Sequence, residues 1–416
     1  MNQLSITGNK TLNGNVIISG SKNAALPILF MTILTKEKIK ISNVPNLTDI
    51  QIALKLLIHL GAKIKQKNNL QIDTSTINIF NAPNYLINKI RASIWILGPL
   101  LARFGQAHIS LPGGCKIGDR PIDLHLYGLT QLGAIINVKG KYIHAYIKGR
   151  FQGKYIFMEK ISVGATITIM SAAILAQGLT IIDNAACEPE IIDVAKFLNS
   201  IGANITGAGN KKIYIQGVSK LTGGKHTIIP DRIETGTFLI AATISQGYII
   251  CHQTEPKHLK TVLMYLSKSG AKIRTGKDWI ELDMRGKRPK SLNVQTAPYP
   301  GLPTDMQSQF TLLNIISQGI GIITENIFEN RFIYAIELIK MGAKLKIKNN
   351  TIISYGTQNL IASNIFCSDL RGAATLILAS CIAIGITIVN HTYHIERGYD
   401  SFLQKLNKLG ADIKII

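Results

Sequence analysis

The chain is poor in cysteine, poor in acids, and free of the common nucleotide-binding glycine motifs. Five cysteines, at 115, 187, 251, 367 and 381, stand singly in 416 residues with no CxxC pair. An odd, dispersed set argues against a disulfide framework or a zinc site and suits a reducing cytosol. No GxxxxGK[ST] run is present, and no GxGxxG stands in the right context, so ATP hydrolysis and dinucleotide binding lack support. The first residues, MNQLSITGNK, lack a basic segment followed by an apolar one, so no secretory signal is expected. Asp and Glu number 24 against 46 Lys and Arg, a net charge of +22. Such an excess raises a polyanion as partner. The lysines, however, are spread along the chain beside Ile and Asn, as in KEKIKIS, with no Arg-rich run and no aromatic interleaving. Gly372–Asn390 is nineteen residues without a charge, near the length of a membrane span. It reads better as a buried helix running into a strand.

What is present is a repeat. An amphipathic segment ending in Gly-Ala, followed by an alternating strand, recurs as LKLLIHLGAKI, LTQLGAII, VAKFLNSIGANI, LMYLSKSGAKI, AIELIKMGAKL and LQKLNKLGADI. Its glycines (61, 133, 202, 270, 342, 410) lie 68 to 72 residues apart, which predicts six copies of one unit. A nearly uncharged stretch precedes each copy: NAALPILFMTIL, ASIWILGPLLA, VGATITIMSAAILA, TFLIAATIS, MQSQFTLLNIIS and AATLILASCIA. A helix apolar on all sides belongs inside a domain. Each unit therefore reads as buried helix, strand, outer helix, strands, an α/β arrangement with sheets open to solvent on one face. Three units can close into a ring with helices inside, and two rings use all six. The polar stretch at 217–230 is the expected seam, while residues 1–20 read as a strand pair that either domain could take.

Polar residues collect just before the buried helices: Ser21-Lys22-Asn23, Lys89-Ile90-Arg91, Lys160-Ile161-Ser162, Asp231-Arg232-Ile233-Glu234, Thr304-Asp305 and Ser368-Asp369-Leu370-Arg371. Unpaired N–H groups and the positive end of the helix dipole favour anions there, and Lys22, Arg91, Lys160 and Arg371 add to that. A cleft between domains is the expected place for such a site. For Asp305 and Asp369, helix capping accounts for the residue as well as chemistry does. His125 and His394 read as structural or surface residues without metal-ligand spacing.

Pro112–Pro121 holds three glycines, Cys115, Lys116, Asp119 and Arg120. Glycine opens backbone angles closed to other residues, and nearby cations lower a thiol's pKa. Taken locally, a glycine turn around a small buried cysteine fits equally. The other repeats read as having short connections at this point, so the stretch is an insertion, expected to act as a mobile lid carrying an acid.

The stretches GSKNAALPIL (20–29), PGGC continuing to IGDRPIDLH (117–125), KISVGATITIM (160–170), PTDMQSQFTLLN (303–314), TENIFENRF (324–332), SDLRGAATLILA (368–379) and HIERGYDSF (394–402) together resemble the UDP-N-acetylglucosamine 1-carboxyvinyltransferases, enolpyruvyl transferases of the EPSP synthase-like superfamily. The resemblance covers essentially the whole chain. It implies a two-domain α/β prism, an inside-out α/β barrel with three βαβαββ-type units per domain and two crossovers. The domains are then 21–229, carrying the Cys115 loop, and 1–20 with 230–416, with the active site in the cleft between them. The implied reaction moves the enolpyruvyl group of phosphoenolpyruvate to the 3'-hydroxyl of UDP-N-acetylglucosamine by addition and elimination. This is the first committed step of peptidoglycan synthesis, and it ties the chain to cell shape and division. Cys115 matches the loop cysteine that delivers a proton or assists product release, forms an adduct with phosphoenolpyruvate, and reacts with fosfomycin. Asp305 matches the base for the sugar hydroxyl. Lys22, Arg120, Arg371 and Arg397 match cations on phosphoenolpyruvate or its phosphate, Lys22 and Arg397 among the catalytic groups. Asn23, Arg91, Arg120, Pro121, Ile122, Asp123, Leu124, Lys160, Ile161, Ser162, Val163, Gly164 and Ile327 match the uridine-nucleotide site, beside Asp305. Lys116 departs from the family, which commonly has a small residue there.

The resemblance implies a cytoplasmic enzyme with two small-molecule substrates and no cofactor, metal, nucleic acid or membrane partner; oligomeric state is open. Two alternatives stand beside it. One is the sister transferase acting on shikimate 3-phosphate, disfavoured by the cysteine loop and the RPIDLH stretch. The other is a basic, non-catalytic solenoid that binds nucleic acid with a salt-sensitive affinity, which leaves Asp305 and the glycine-cysteine loop without a role.

Overall fold

A computed structural model describes residues 3–66, 69–111, 113, 118 and 121–416. The six uncharged stretches form the helices Lys22–Met31, Leu97–Phe104, Val163–Ala173, Arg232–Ile244, Gln307–Ile316 and Leu370–Ile382. Arg232–Ile244 and Gln307–Ile316 are buried at every residue, as helices without a polar face must be. Hydroxyls in the core helices bond within the same helix, as Thr243 does to Leu239 O, Thr311 to Gln307 O, and Ser380 of Leu370–Ile382 to Leu376 O. Two of these core helices begin as tighter turns, Arg91–Ile96 and Thr304–Met306. The expected single helix over ASIWILGPLLA is thus broken in two.

Each core helix leads through a strand to an outer helix, and all six outer helices end alike. The Gly-Ala glycines have φ between 85° and 110°, a region closed to side chains with a Cβ. The following alanine N–H reaches back to close the helix, as Ala62 does to Leu57 O at 3.0 Å and Ala411 to Leu406 O at 3.1 Å. This left-handed stop is why glycine recurs at the same point of every repeat.

Two compact units result. Residues 20–111 with 121–229 hold the first three repeats, and residues 3–19 with 230–416 hold the last three. Each has its own hydrophobic core. In each unit three four-stranded sheets lie over the core helices, their strands alternating buried residues with more accessible ones, as Ile39–Ser42 and Thr351–Ser354 do. Within a sheet the strand after the core helix pairs antiparallel with a hairpin strand and parallel with a short edge strand.

The chain crosses between units at 19–20 and 229–230, and the edge strands are exchanged accordingly. Gly224–Thr227, inside the polar stretch expected to be a seam, is the parallel edge strand of the first repeat beside Ile39–Ser42. Asn13–Ile17 plays that part in the fourth repeat, beside Tyr248–His252. Gln3–Thr7 lies between Ile386–Asn390 and Asp412–Ile415, replacing the hairpin strand that the sixth repeat lacks. The N-terminal strands are therefore not a pair but parts of two sheets of one unit. Ser19 is fastened by Glu234, whose Oε2 accepts its N–H at 2.8 Å, while Lys405 donates to Glu234 Oε1 at 2.6 Å.

Gly372–Asn390 divides into the end of Leu370–Ile382 and the strand Ile386–Asn390. No helix among the described residues is long and apolar enough to cross a membrane. The connection 111–122 is long beside 43–47 and 184–188, but 325–334 in the fifth repeat is long as well. The insertion at Cys115 is thus not unique, and the lid expected there lies outside the described residues.

Helix Leu97–Phe104 approaches Val163–Ala173 through Gly98. A Cβ on Gly98 would fall on Ser171 Oγ and within 2.8 Å of the Thr168 carbonyl. We expect Gly98→Ala to cost about 1–3 kcal/mol by overpacking, despite the better helix propensity of alanine. Adding Ser171→Ala should recover part of the loss in chemical denaturation.

Candidate active site

In the unit built from 20–229, the first core helix is capped by Ser21, whose Oγ accepts the Ala24 N–H at 3.3 Å. Lys22 opens that helix, is 9% exposed, and donates to Asp49 Oδ2 at 3.2 Å. A cation in a first helical turn opposes the helix dipole, so it needs an anion close by. Asp49 supplies one from the start of the outer helix Thr48–His59. Asn23 follows, half-buried.

Three further segments of this unit meet. Arg91 begins the turn Arg91–Ile96, and its charge acts on the buried imidazole of His125. Trp95 Nε1 donates to Gly164 O at 3.1 Å. Ser162 caps the third core helix by accepting the Ala165 N–H at 3.2 Å. Around these contacts Pro121, Asp123, Lys160 and Ile161 are exposed, and Ile122, Leu124, Ser162, Val163 and Gly164 half-buried. Arg91, 121–124 and 160–164 are thereby brought together. Cys115, Lys116 and Arg120 lie outside the described residues.

In the other unit Asp305 is the centre. It does not cap the fifth core helix; Pro303 precedes that turn and no side chain caps it. Instead its carboxylate accepts from Arg331 Nη2 at 2.7 Å on one oxygen and from Arg371 Nη2 at 2.8 Å on the other. Both arginine side chains are 5% exposed and Asp305 is 27% exposed. Burial opposes the Arg371 charge, but Asp305, Tyr399 and Asp231 outweigh it and hold the guanidinium charged. Its planar face rests on the Tyr399 ring at 5.1 Å. Arg371 Nη1, buried, has no hydrogen-bond partner among the described residues. That donor is suited to an oxyanion.

The supports of this cluster are acidic. Asp369 is a true cap, accepting the Arg371 and Gly372 N–H groups at 3.0 and 2.9 Å. Glu325 accepts from Thr304 Oγ1 at 2.9 Å and from the Ile327 N–H at 2.8 Å. It thereby ties the residue before Asp305 to Ile327. Arg397, half-buried, ends the turn Thr392–Arg397, which packs on the sixth core helix. Asp49, Arg331 and Glu325 were not singled out from the sequence. Arg331 and Glu325 lie within TENIFENRF, where only the pairing with Asp305 and Thr304 marks them.

The four described cysteines are unsuited to acid or nucleophile chemistry. Burial pushes the Cys367 and Cys381 thiols up to about 12 and raises Cys251 and Cys187 too. No group of three or more His, Cys, Asp or Glu among the described residues could hold a metal ion.

Asp305→Asn takes the hydrogen-bonded carboxylate from two buried guanidiniums and should cost about 3 kcal/mol. Inorganic phosphate should raise the melting temperature of that variant more than that of the wild type, because an anion can replace the lost carboxylate. His125 is held neutral: burial, then Arg91, lowers its pKa from 6.5 to about 3. The unfolded chain binds a proton there that the folded chain does not. Stability should therefore be unaffected by His125 above about pH 6.5 and fall as pH drops from there toward 3. His125→Gln should flatten that limb in denaturation curves taken across the range.

The family model described as EPSP synthase (3-phosphoshikimate 1-carboxyvinyltransferase) matches residues 6–406. A UDP-N-acetylglucosamine 1-carboxyvinyltransferase of Buchnera aphidicola subsp. Acyrthosiphon pisum is 75% identical over 416 residues, all of both chains. One from Pectobacterium carotovorum is 55% identical over 414 residues, covering 100% of this chain and 99% of the other. Among solved structures, the enolpyruvyl transferase NikO of Streptomyces tendae superposes with a TM-score of 0.90 at 23% identity, covering 99% of this chain and 98% of that one. That likeness shows the shared fold. The chain, matched from end to end by these relatives, belongs to the EPSP synthase family of enolpyruvyl transferases, among the UDP-N-acetylglucosamine 1-carboxyvinyltransferases.

Proposed function

We propose that the chain transfers the enolpyruvyl group of phosphoenolpyruvate to the 3'-hydroxyl of UDP-N-acetylglucosamine, releasing phosphate, as a step of peptidoglycan synthesis. The observation that carries this reading is full-length identity of 55–75% with relatives bearing that name. The site chemistry agrees with it. In the addition step the sugar oxygen bonds to C2 of phosphoenolpyruvate, its proton leaves to a base, and C3 gains a proton and becomes a methyl group. In the elimination step the C2–O bond to phosphate breaks and C3 gives a proton back, restoring the double bond.

Asp305 takes the hydroxyl proton. While both its oxygens are held by Arg331 and Arg371 it is a poor base. A substrate anion that draws Arg371 toward itself frees one oxygen for the hydroxyl. Lys22, Arg120, Arg371 and Arg397 hold the phosphate and carboxylate, offsetting charge where it develops. Cys115 delivers the proton to C3 or assists product release. Asn23, Arg91, Arg120–Leu124, Lys160–Gly164 and Ile327 hold the uridine nucleotide. The reading makes the protein a cytoplasmic source of cell-wall precursor for growth, shape and division, and a target of fosfomycin.

A second acceptor is tested because the matching family model carries the 3-phosphoshikimate name. Purified protein with phosphoenolpyruvate should release phosphate with UDP-N-acetylglucosamine and not with shikimate 3-phosphate. Release with the second acceptor alone would reverse the assignment. Cys115→Ala should abolish turnover or product release. Cys115→Asp should retain activity and escape fosfomycin, since an acid remains and the nucleophile is gone.

A further inference from the structure

Gly164, in the first turn of the third core helix, is held by two rings from two other elements. Trp95, on the turn Arg91–Ile96, donates its Nε1–H to the Gly164 carbonyl at 3.1 Å. His125, on the helix Asp123–Gln131, sets its ring edge against the Gly164 Cα. A Cβ there would stand 2.8 Å from His125 Nε2 and 2.9 Å from Cε1, closer than side chains approach. His125 is fixed in turn by Thr168, one helical turn beyond Gly164, with Nδ1 and Oγ1 2.8 Å apart. The imidazole is 7% exposed, so its orientation is set by these contacts rather than by water.

The three elements joined at this glycine also carry three groups of residues assigned above to the nucleotide: Arg91, 121–124 and 160–164. Each group sits at the beginning of its element, next to the clamp rather than at the far end. A shift of one element relative to the others would misplace phosphate or base contacts by the same amount, and misplacements of about 1 Å are costly in a binding site.

We propose that Trp95 and His125 are positioning residues for the nucleotide sugar, and that by clamping Gly164 they hold the three binding segments in register. This rests on the functional reading above. Trp95 acts through a carbonyl and His125 through the Gly164 backbone; neither is required to touch the reacting atoms.

The test uses the full-length protein and two mild variants. Trp95→Phe keeps a ring and loses the N–H donor; His125→Gln keeps hydrogen-bonding groups and loses the ring edge. KM for each substrate, kcat, calorimetric Kd for UDP-N-acetylglucosamine and melting temperature are measured together. The expected result is a rise of about tenfold or more in KM and Kd for the nucleotide sugar, equal to about 1.4 kcal/mol. KM for phosphoenolpyruvate should stay within about twofold, with melting temperatures near the wild type. Unchanged constants, or equal loss for both substrates in step with a fall in melting temperature, would overturn the clamp and leave only packing. A wild-type protein that does not bind UDP-N-acetylglucosamine would overturn the functional reading first, and the clamp with it.

Discussion

A helix with no polar face has to be enclosed, and the rest of the molecule depends on that requirement. Six such helices recur along the chain, and no single repeat can cover its own. Closing three repeats over three helices satisfies each unit, with sheets that are apolar on one face only. Because the helix bodies are uncharged, polar chemistry is confined to their ends. Ser21, Ser162, Asp231 and Asp369 cap four of the starts, and Lys22, Arg91, Asp305 and Arg371 stand at or beside starts. The candidate site residues lie there because the fold leaves few other places for a buried charge.

Those charges are held by partners rather than left in wait. Lys22 is paired with Asp49, and Arg331 and Arg371 with Asp305. A buried cation without an anion is costly, so each acid stabilises the cation it pairs with. Any anion that is to bind one of these cations has to compete with a carboxylate already in place. Asp305 is bound on both oxygens, so the base role proposed for it requires a guanidinium to turn away first. Arg371 Nη1, which has no hydrogen-bond partner among the described residues, is a donor open to an anion.

Much of this was legible in the sequence. The Gly-Ala period marked all six left-handed helix stops, because one backbone conformation demands one residue. The uncharged stretches marked the core helices, and the repeat resolved the membrane-length run at 372–390 into a helix and a strand. Pairings across long distances were not legible. Nothing local distinguishes Asp305 as an ion-pair acceptor from Asp369 as a cap; the difference is made by Arg331 and by Arg371, 66 residues away. Asp49 looks like any acid in a first helical turn. The edge strand Gly224–Thr227 is short and polar, so composition hid it, and the strand at Asn13–Ile17 gave no sign of its partner Tyr248–His252. His125 reads as a structural histidine until Gly164 and Trp95 are seen beside it.

In the proposed reaction phosphoenolpyruvate adds to a nucleotide-sugar hydroxyl and phosphate is then eliminated. Running it in deuterium oxide and analysing the product by mass spectrometry follows C3 through both steps. The expected product is an enolpyruvyl ether of UDP-N-acetylglucosamine with deuterium in its vinyl group, because C3 passes through a methyl stage. A product without solvent deuterium, or phosphate released with no nucleotide-sugar product, would contradict it.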